Sequence, residues 1–250
     1  MNAETKTQYV ARVEEISYPY TLNKKLFVPH TNGEKVFASP VFRQGNYREL
    51  GAGILENNMI LPGRETSSLL HPAYCTNAND EAFQEVRNSI RYGWLSIFLQ
   101  ELSTDYGFYS IVDKKALGTS IDAGALEKRL ARQMKHWKKI KGTGIRTNED
   151  RSIQFVEEGA YARGEVTAEE LATDNGMIAN YNKEGAEKLS EVAAQLPDKR
   201  AVIHRLKIEK GQAPQLRVST LDECDNRLRV IGSDFDELRG GGHAFGVLRS

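Results

Sequence analysis

The stretch from Asn79 to Asp113 constrains the fold of this chain more than any other. Asn79 or Asp80 is a candidate helix N-cap, because a short side-chain oxygen there accepts from the orphan donors of a starting helix. Phe83, Val86, Ile90, Trp94, Ile97 and Phe98 then recur at three- and four-residue steps, which places them on one helical face. From Trp94 the run WLSIFL is apolar almost all round, so the second half of this predicted helix should be enclosed by other elements. After a break at Ser103–Gly107, Phe108–Val112 reads as a strand. Arg87, Arg91 and Glu101 fall on the flanks of the apolar face or within it. Charges so placed snorkel, pair or line a cavity, and Asp105 and Asp113 are the expected partners.

Around this stretch the chain divides into recognisable segments. Residues 8–16 (QYVARVEEI) alternate loosely with β-preferring residues and predict a first strand. Asn32-Gly33 lies between LFVPH and EKVFASPVF, a hairpin signature because both central turn positions take positive φ. ILENNMIL, before Pro62-Gly63, has no decisive period. Residues 64–75 (RETSSLLHPAYC) read as a short helix holding Leu69, Leu70 and Tyr74, which Pro72 must open, kink or end. A second long helix is predicted from Ile121 to Ile140. Leu126, Leu130, Met134, Trp137 and Ile140 form its stripe, and Gly142-Thr-Gly144 stops it. Ile153–Val156 reads as a strand, Thr167 and Glu170 have capping-box spacing, and Ala186, Leu189, Val192, Ala193 and Leu196 mark a helix over 184–196.

From Ala201 the period falls to two. AVIHRLKI, QLRVSTL, RLRVIG and HAFGVL predict four strands with short links, which favours an antiparallel meander. The expected fold class is therefore α+β, with central helices and antiparallel sheet elements near both termini. One domain over 1–250 is the simplest organisation, and lobes 1–141 and 151–250 are the alternative.

Lys+Arg and Asp+Glu are both 34, so net charge selects no partner, but the distribution is uneven. Lys128, Arg132, Lys135 and Lys139 step by four, three and four, forming a row opposite Trp137 on the predicted helix. At ~1.5 Å per residue the row is roughly 16 Å long. Lys141 and Arg146 extend it, and no acid interrupts before Glu149. Such a row suits a phosphate backbone, with salt-sensitive affinity. The leading expectation is thus a non-enzymatic protein contacting nucleic acid through Lys128, Arg132, Lys135, Lys139, Lys141 and Arg146. With no RNP aromatics, zinc-finger spacing or helix-turn-helix, the contact would be to backbone rather than bases. Self-association is a second reading, pairing the basic row with acidic C-terminal hairpins at Asp222, Glu223, Asp225, Asp234, Asp236 and Glu237. A solvated face is the plain alternative.

A third reading is a hydrolase. Asp234, Asp236 and His243 could meet round a divalent cation, although EF-hand spacing is absent. His71 and Cys75, four apart, could pair on a helix so that imidazole activates a thiolate. His204 shares a predicted strand face with Val202, Leu206 and Ile208, as a buried base or a satisfied core histidine. Arg239-Gly-Gly-Gly242-His243 resembles the glycine-rich GGGH element of DHH-type phosphoesterases. That family's Asp-His-His motif does not occur in this sequence, so no role is carried over. No catalytic residue, metal or cofactor is assigned. The first residues have no apolar signal region, no apolar run nears the ~20 residues of a membrane span, and mean hydropathy is −0.52. Cys75 and Cys224 are far apart and form no CxxC pair. A cytoplasmic protein with no membrane partner is expected.

Overall fold

The computed structural model describes residues 10–15, 24–31, 33–39, 41–233 and 241–249, and among these the chain is organised by a sheet. Arg12–Glu15 (β1), Lys24–His30 (β2) and Gly33–Ser39 (β3) form a small antiparallel sheet. His30 pairs with Gly33 across the expected hairpin turn, whose Asn32 lies outside the described residues, as do residues 8, 9 and 16 of the first predicted strand. Phe42–Gly45 (β4) leads into helix Tyr47–Glu56 (α1), opened by a capping box between Asn46 and Glu49. Helix Thr66–His71 (α2) runs directly into a π-helical turn, Pro72–Thr76, which opens at Pro72 where the missing N–H interrupts the α-helical ladder.

The predicted central helix starts as expected, with Asp80 accepting from the Ala82 N–H, but it ends at Arg91 (α3, Glu81–Arg91). Trp94–Thr104 is a strand (β5). Gly93 marks the change: a Cβ there would lie 2.5 Å from the Gly241 carbonyl oxygen and 2.7 Å from the His243 ring. The strand is covered on both faces, which is why it lacks the alternation of a half-exposed one. Leu95, Ile97 and Leu99 join Phe83, Val86 and Ile90 in the largest core cluster. From the opposite face Phe98 meets Tyr47, ring centroids 4.8 Å apart, and Leu102 packs with Tyr109, Leu126 and Leu130.

Gly107–Val112 (β6) returns antiparallel to β5. Helix Ala123–Gln133 (α4), capped by Asp122, ends in a 3-10 turn at Met134–His136, and Trp137 is already extended. The helix expected to reach Ile140 therefore stops seven residues early, because Lys138–Lys139 (β7) pairs with Ile145–Thr147 (β8). Ile153–Glu157 (β9) and Gly164–Thr167 (β10) follow, then Ala168–Thr173 (α5) with the predicted Thr167/Glu170 box, and Asn175–Gln195 (α6). Arg200–His204 (β11), Gln215–Cys224 (β12), Arg227–Ser233 (β13) and Gly242–Ala244 (β14) complete the chain.

These strands build one eleven-stranded sheet in the order β10-β11-β13-β12-β5-β6-β9-β8-β7, with β14 bridging β4 and the start of β5. The α+β expectation with central helices is corrected accordingly: the architecture is β-rich, and the helices cover the sheet rather than form its centre. The C-terminal meander is corrected too. Only β12 and β13 are a hairpin; β11 lies parallel to β13, and β14 runs parallel to β5. No helix among the described residues is long and apolar enough to cross a membrane.

Candidate functional site

The basic residues do not form a row along one helix. Lys128 and Arg132 are on α4, Lys135 is in the 3-10 turn and Lys139 is in β7, so the four-three-four spacing loses the helix it requires. Arg146 lies in β8 and pairs with Glu157 at 3.4 Å, while Lys141 sits beyond β7. All six are exposed, but on four kinds of backbone: α-helix, 3-10 turn, strand and the turn after β7. Of the acidic partners, Asp222 holds Arg229 through bonds of 2.6 and 2.7 Å, and Glu223 accepts from Tyr74 and Arg91. Asp234, Asp236, Glu237 and Arg239 lie outside the described residues. The nucleic-acid reading is withdrawn with the helical row it needed, and of the acids named for assembly Asp222 and Glu223 already have partners within the chain.

Of the hydrolase reading, the Asp234/Asp236 branch lies outside the described residues, and the thiol branch lacks an activated nucleophile. Burial, then the nearby Glu191 carboxylate, push the Cys75 thiol up to about 11, the wrong direction for a thiolate. His204 is exposed and points away from the core, whose inward positions are Ala201, Ile203 and Arg205. Gly242 lets the backbone approach Trp94, since a Cβ would lie 2.3 Å from the indole ring. It serves packing.

What the structure does assemble is a pair of clefts around Arg64, a residue that nothing in the sequence singles out. Arg64 precedes α2, in a turn where the Thr66 N–H and hydroxyl both donate to the Gly63 carbonyl and the Ser67 hydroxyl donates to the Arg64 carbonyl. The residue is 8% exposed. Its Nη1 donates to the Arg151 carbonyl at 2.7 Å, while Nε and Nη2 have no hydrogen-bond partner among the described residues. Nor does Arg64 form an ion pair there, and burial pulls its guanidinium down to about 10 against the milder opposing effects of Glu65 and Asp150. A buried guanidinium with two unused donors is costly and needs a reason.

Two clefts of about 420 and 640 Å³ share Arg64, Val112, Lys114 and Asn182 as wall residues. Each lies within the range of small-molecule sites. Their walls carry Lys35, Lys114, Lys141, Arg151, Lys183 and Arg249 against Glu65, Asp113, Asp150 and Glu184. Most of these acids are already engaged. Asp113 accepts from Gln100, Tyr47 and the Gly118 N–H, Glu184 from Lys188 and the Thr31 N–H, and Asp150 from Ser152. The balance around Arg64 is cationic.

Backbone strain gathers on the same walls. Asn182 interrupts α6 with φ 63° and ψ 172°, a conformation nearly confined to glycine. Arg151, whose carbonyl holds Arg64, and Thr31 are also non-glycine residues at positive φ, 58° and 47°. The helix halves have separate anchors. Before the break, Asn180 donates to Glu101 at 2.5 Å; after it, Gly185 lies so close to α2 that a Cβ would sit 2.7 Å from the Ser67 hydroxyl.

Neighbouring polar groups do not compete as sites. Ser68 Oγ lies 2.9 Å from both His30 Nδ1 and Lys188 Nζ, a trio with hydrolase ingredients, yet Ser68 is 1% exposed and out of reach of a substrate. Lys188 also donates to the Pro29 carbonyl, so the trio ties the β2–β3 hairpin to α6. A third cleft, of about 520 Å³, is lined by Arg163, Arg205, Arg217 and Arg229. There Arg163 pairs with Glu158 at 2.7 Å, Arg205 with Glu101 at 3.1 Å and Arg229 with Asp222. Three of its four arginines are thus matched by carboxylates, whereas Arg64 has no ion pair among the described residues.

No family model and no curated protein matches the sequence. A solved structure described as "Accommodation of massive sequence variation in Nanoarchaeota by the C-type lectin fold" is similar in shape at 10% identity, with a TM-score of 0.47 over 84% of this chain and 96% of that one. A likeness at that level carries neither fold nor function across, and the functional reading rests on the residues themselves.

Proposed function

We propose that the chain binds a small anionic molecule whose carboxylate or phosphate group is held by Arg64. The unused Nε and Nη2 donors carry this reading. They form the side of the guanidinium that gives two parallel N–H···O bonds to one carboxylate or phosphate. Nη1 is already committed to the Arg151 carbonyl, which fixes the plane of the group. Lys114, whose exposed ion pair with Asp150 is long at 3.8 Å, and Asn182 are the other polar residues shared by both clefts and hold the rest of the ligand. Because Nε and Nη2 are themselves buried, ligand entry requires a small shift of the wall, and the strained link at Asn182 is where α6 is cheapest to move. The site offers binding and orientation; its wall holds no activated nucleophile.

The test is thermal unfolding of the wild-type chain and of Arg64→Lys and Arg64→Met at constant ionic strength. Inorganic phosphate, a phosphate monoester, acetate and a dicarboxylate serve as separate probes. A specific ligand at about 100 times its Kd adds roughly 2.7 kcal/mol of stability. One anion class should raise the wild-type Tm and leave Arg64→Met unchanged. Arg64→Lys keeps the charge but loses the two-bond geometry, so it should respond weakly. Equal shifts in wild type and Arg64→Met, or no shift with any anion, overturn the reading.

A further inference from the structure

We propose a second, independent site: His71, Cys75 and Glu191 hold a zinc-class divalent cation between the π-helical turn and α6. Their ligand atoms all lie within 4.8 Å of one another. The sequence pairs His71 with Cys75 but gives no hint of Glu191, which comes from the far half of α6.

The local backbone explains the convergence. α2 ends at His71, Pro72 opens the π-helical turn, and the Asn77 N–H donates to the Pro72 carbonyl at 2.7 Å, the five-residue closure of a π turn. His71 and Cys75 stay on one side of this widened turn. Leu189 and Val192 are buried in the main core, which fixes α6 against the sheet, and Glu191 is presented to the turn between them. His71 Nε2 and Glu191 Oε2 are 2.6 Å apart. Among the described residues no lysine or arginine forms an ion pair with Glu191.

The donor set decides the class of ion. Calcium and magnesium take oxygen ligands, which a thiolate and an imidazole do not supply. One nitrogen, one sulfur and one carboxylate oxygen suit zinc and its softer neighbours. Zinc bonds of roughly 2.0–2.3 Å bring ligand atoms closer together than the widest separation here. The adjustment falls to Glu191, whose side chain is 61% exposed. That exposure also leaves the outer side open for water as a fourth ligand. Bound there, the cation fastens the π-helical turn to the half of α6 that follows the Asn182 break. No catalysis is implied, and the site stands whether or not Arg64 binds an anion.

Cobalt(II) is the probe, because a thiolate ligand gives it a charge-transfer absorption that imidazole and carboxylate do not. Untagged full-length chain, stripped with a chelator, is titrated with cobalt and then with zinc. The expected result is a band saturating at one cobalt per chain, displaced by zinc, lost in Cys75→Ser and kept in Cys224→Ser. Glu191→Gln, at an exposed position where misfolding is not a concern, should bind at least tenfold more weakly. Zinc should also raise the wild-type Tm, and a chelator should reverse it. Absence of the band, its survival in Cys75→Ser, or unchanged affinity in Glu191→Gln overturns the proposal.

Discussion

Two buried guanidiniums show what a partner is worth. Arg205 is enclosed with Glu101, and that carboxylate also accepts from Asn180 and Ser219. Removing the acid with Glu101→Gln strands a buried charge, and a loss of roughly 3–5 kcal/mol is expected. Arg64 has no such acid among the described residues, so in Arg64→Met the loss of the Nη1 bond to the Arg151 carbonyl is offset by removal of two unsatisfied donors, and a net change of no more than about 1 kcal/mol is expected. Urea denaturation should therefore show a large loss in Glu101→Gln alone, and a comparable loss in Arg64→Met would mean that its guanidinium is satisfied within the fold. His30 adds a pH dependence at the same wall. Burial holds its imidazole below the ordinary 6.5, with smaller opposing effects from Glu184 and Glu65. A base with a lowered folded pKa is protonated first in the unfolded chain. Stability is thus full above about 6.5 and falls as pH drops through the folded value. His243 is lowered by burial as well and acts in the same window. Chemical denaturation between pH 8 and 5 should show declining stability, with a shallower slope in His30→Gln.

At the scale of elements, Asn182 separates stability from function. Glycine takes its φ and ψ without strain, so Asn182→Gly should be more stable than Asn182→Ala by about 1–2 kcal/mol. If the asparagine side chain touches the anion, the glycine variant will gain stability and lose affinity together. Thermal unfolding with and without ligand measures both. The same helix shows what was legible in the sequence. Local signals came through: Asp80 caps α3, Thr167 and Glu170 form their box, and Leu189 and Val192 face the core. β5 did not come through, because a strand packed on both faces is apolar without alternation and its Trp94, Ile97 and Phe98 also satisfy helical spacing. The 121–140 stripe misled differently. Met134 and Trp137 do pack beside Leu126 and Leu130, but from a 3-10 turn and extended backbone rather than a helix. Arg64 and Glu191 had no local signal at all, since what makes them notable is distant residues brought close.

The order of the whole sheet bears on whether 1–141 and 151–250 are separate lobes. β5 and β6 belong to the first and β9 and β12 to the second, yet β12 pairs with β5 and β9 pairs with β6. Each proposed lobe would therefore have long unpaired strand edges, and β5 would present Leu95, Ile97 and Leu99 without the Leu221, Leu228 and Val230 they pack among. The expectation is one cooperative transition, with far-ultraviolet circular dichroism and tryptophan fluorescence coinciding. Trp94 in β5 and Trp137 beside α4 place both reporters in the first segment, so the backbone signal supplies the comparison from the second. Truncation after Lys141 is the sharper experiment. Residues 1–141 alone should aggregate or lack a cooperative transition, because β6 covers only one edge of β5 and the strand on its other edge comes from residues 215–224, more than a hundred positions further on. A soluble 1–141 fragment that melts cooperatively would restore the two-lobe organisation. It would also move the Arg64 clefts to a boundary between units, since Arg64 and Lys114 come from the first segment and Arg151 and Asn182 from the second.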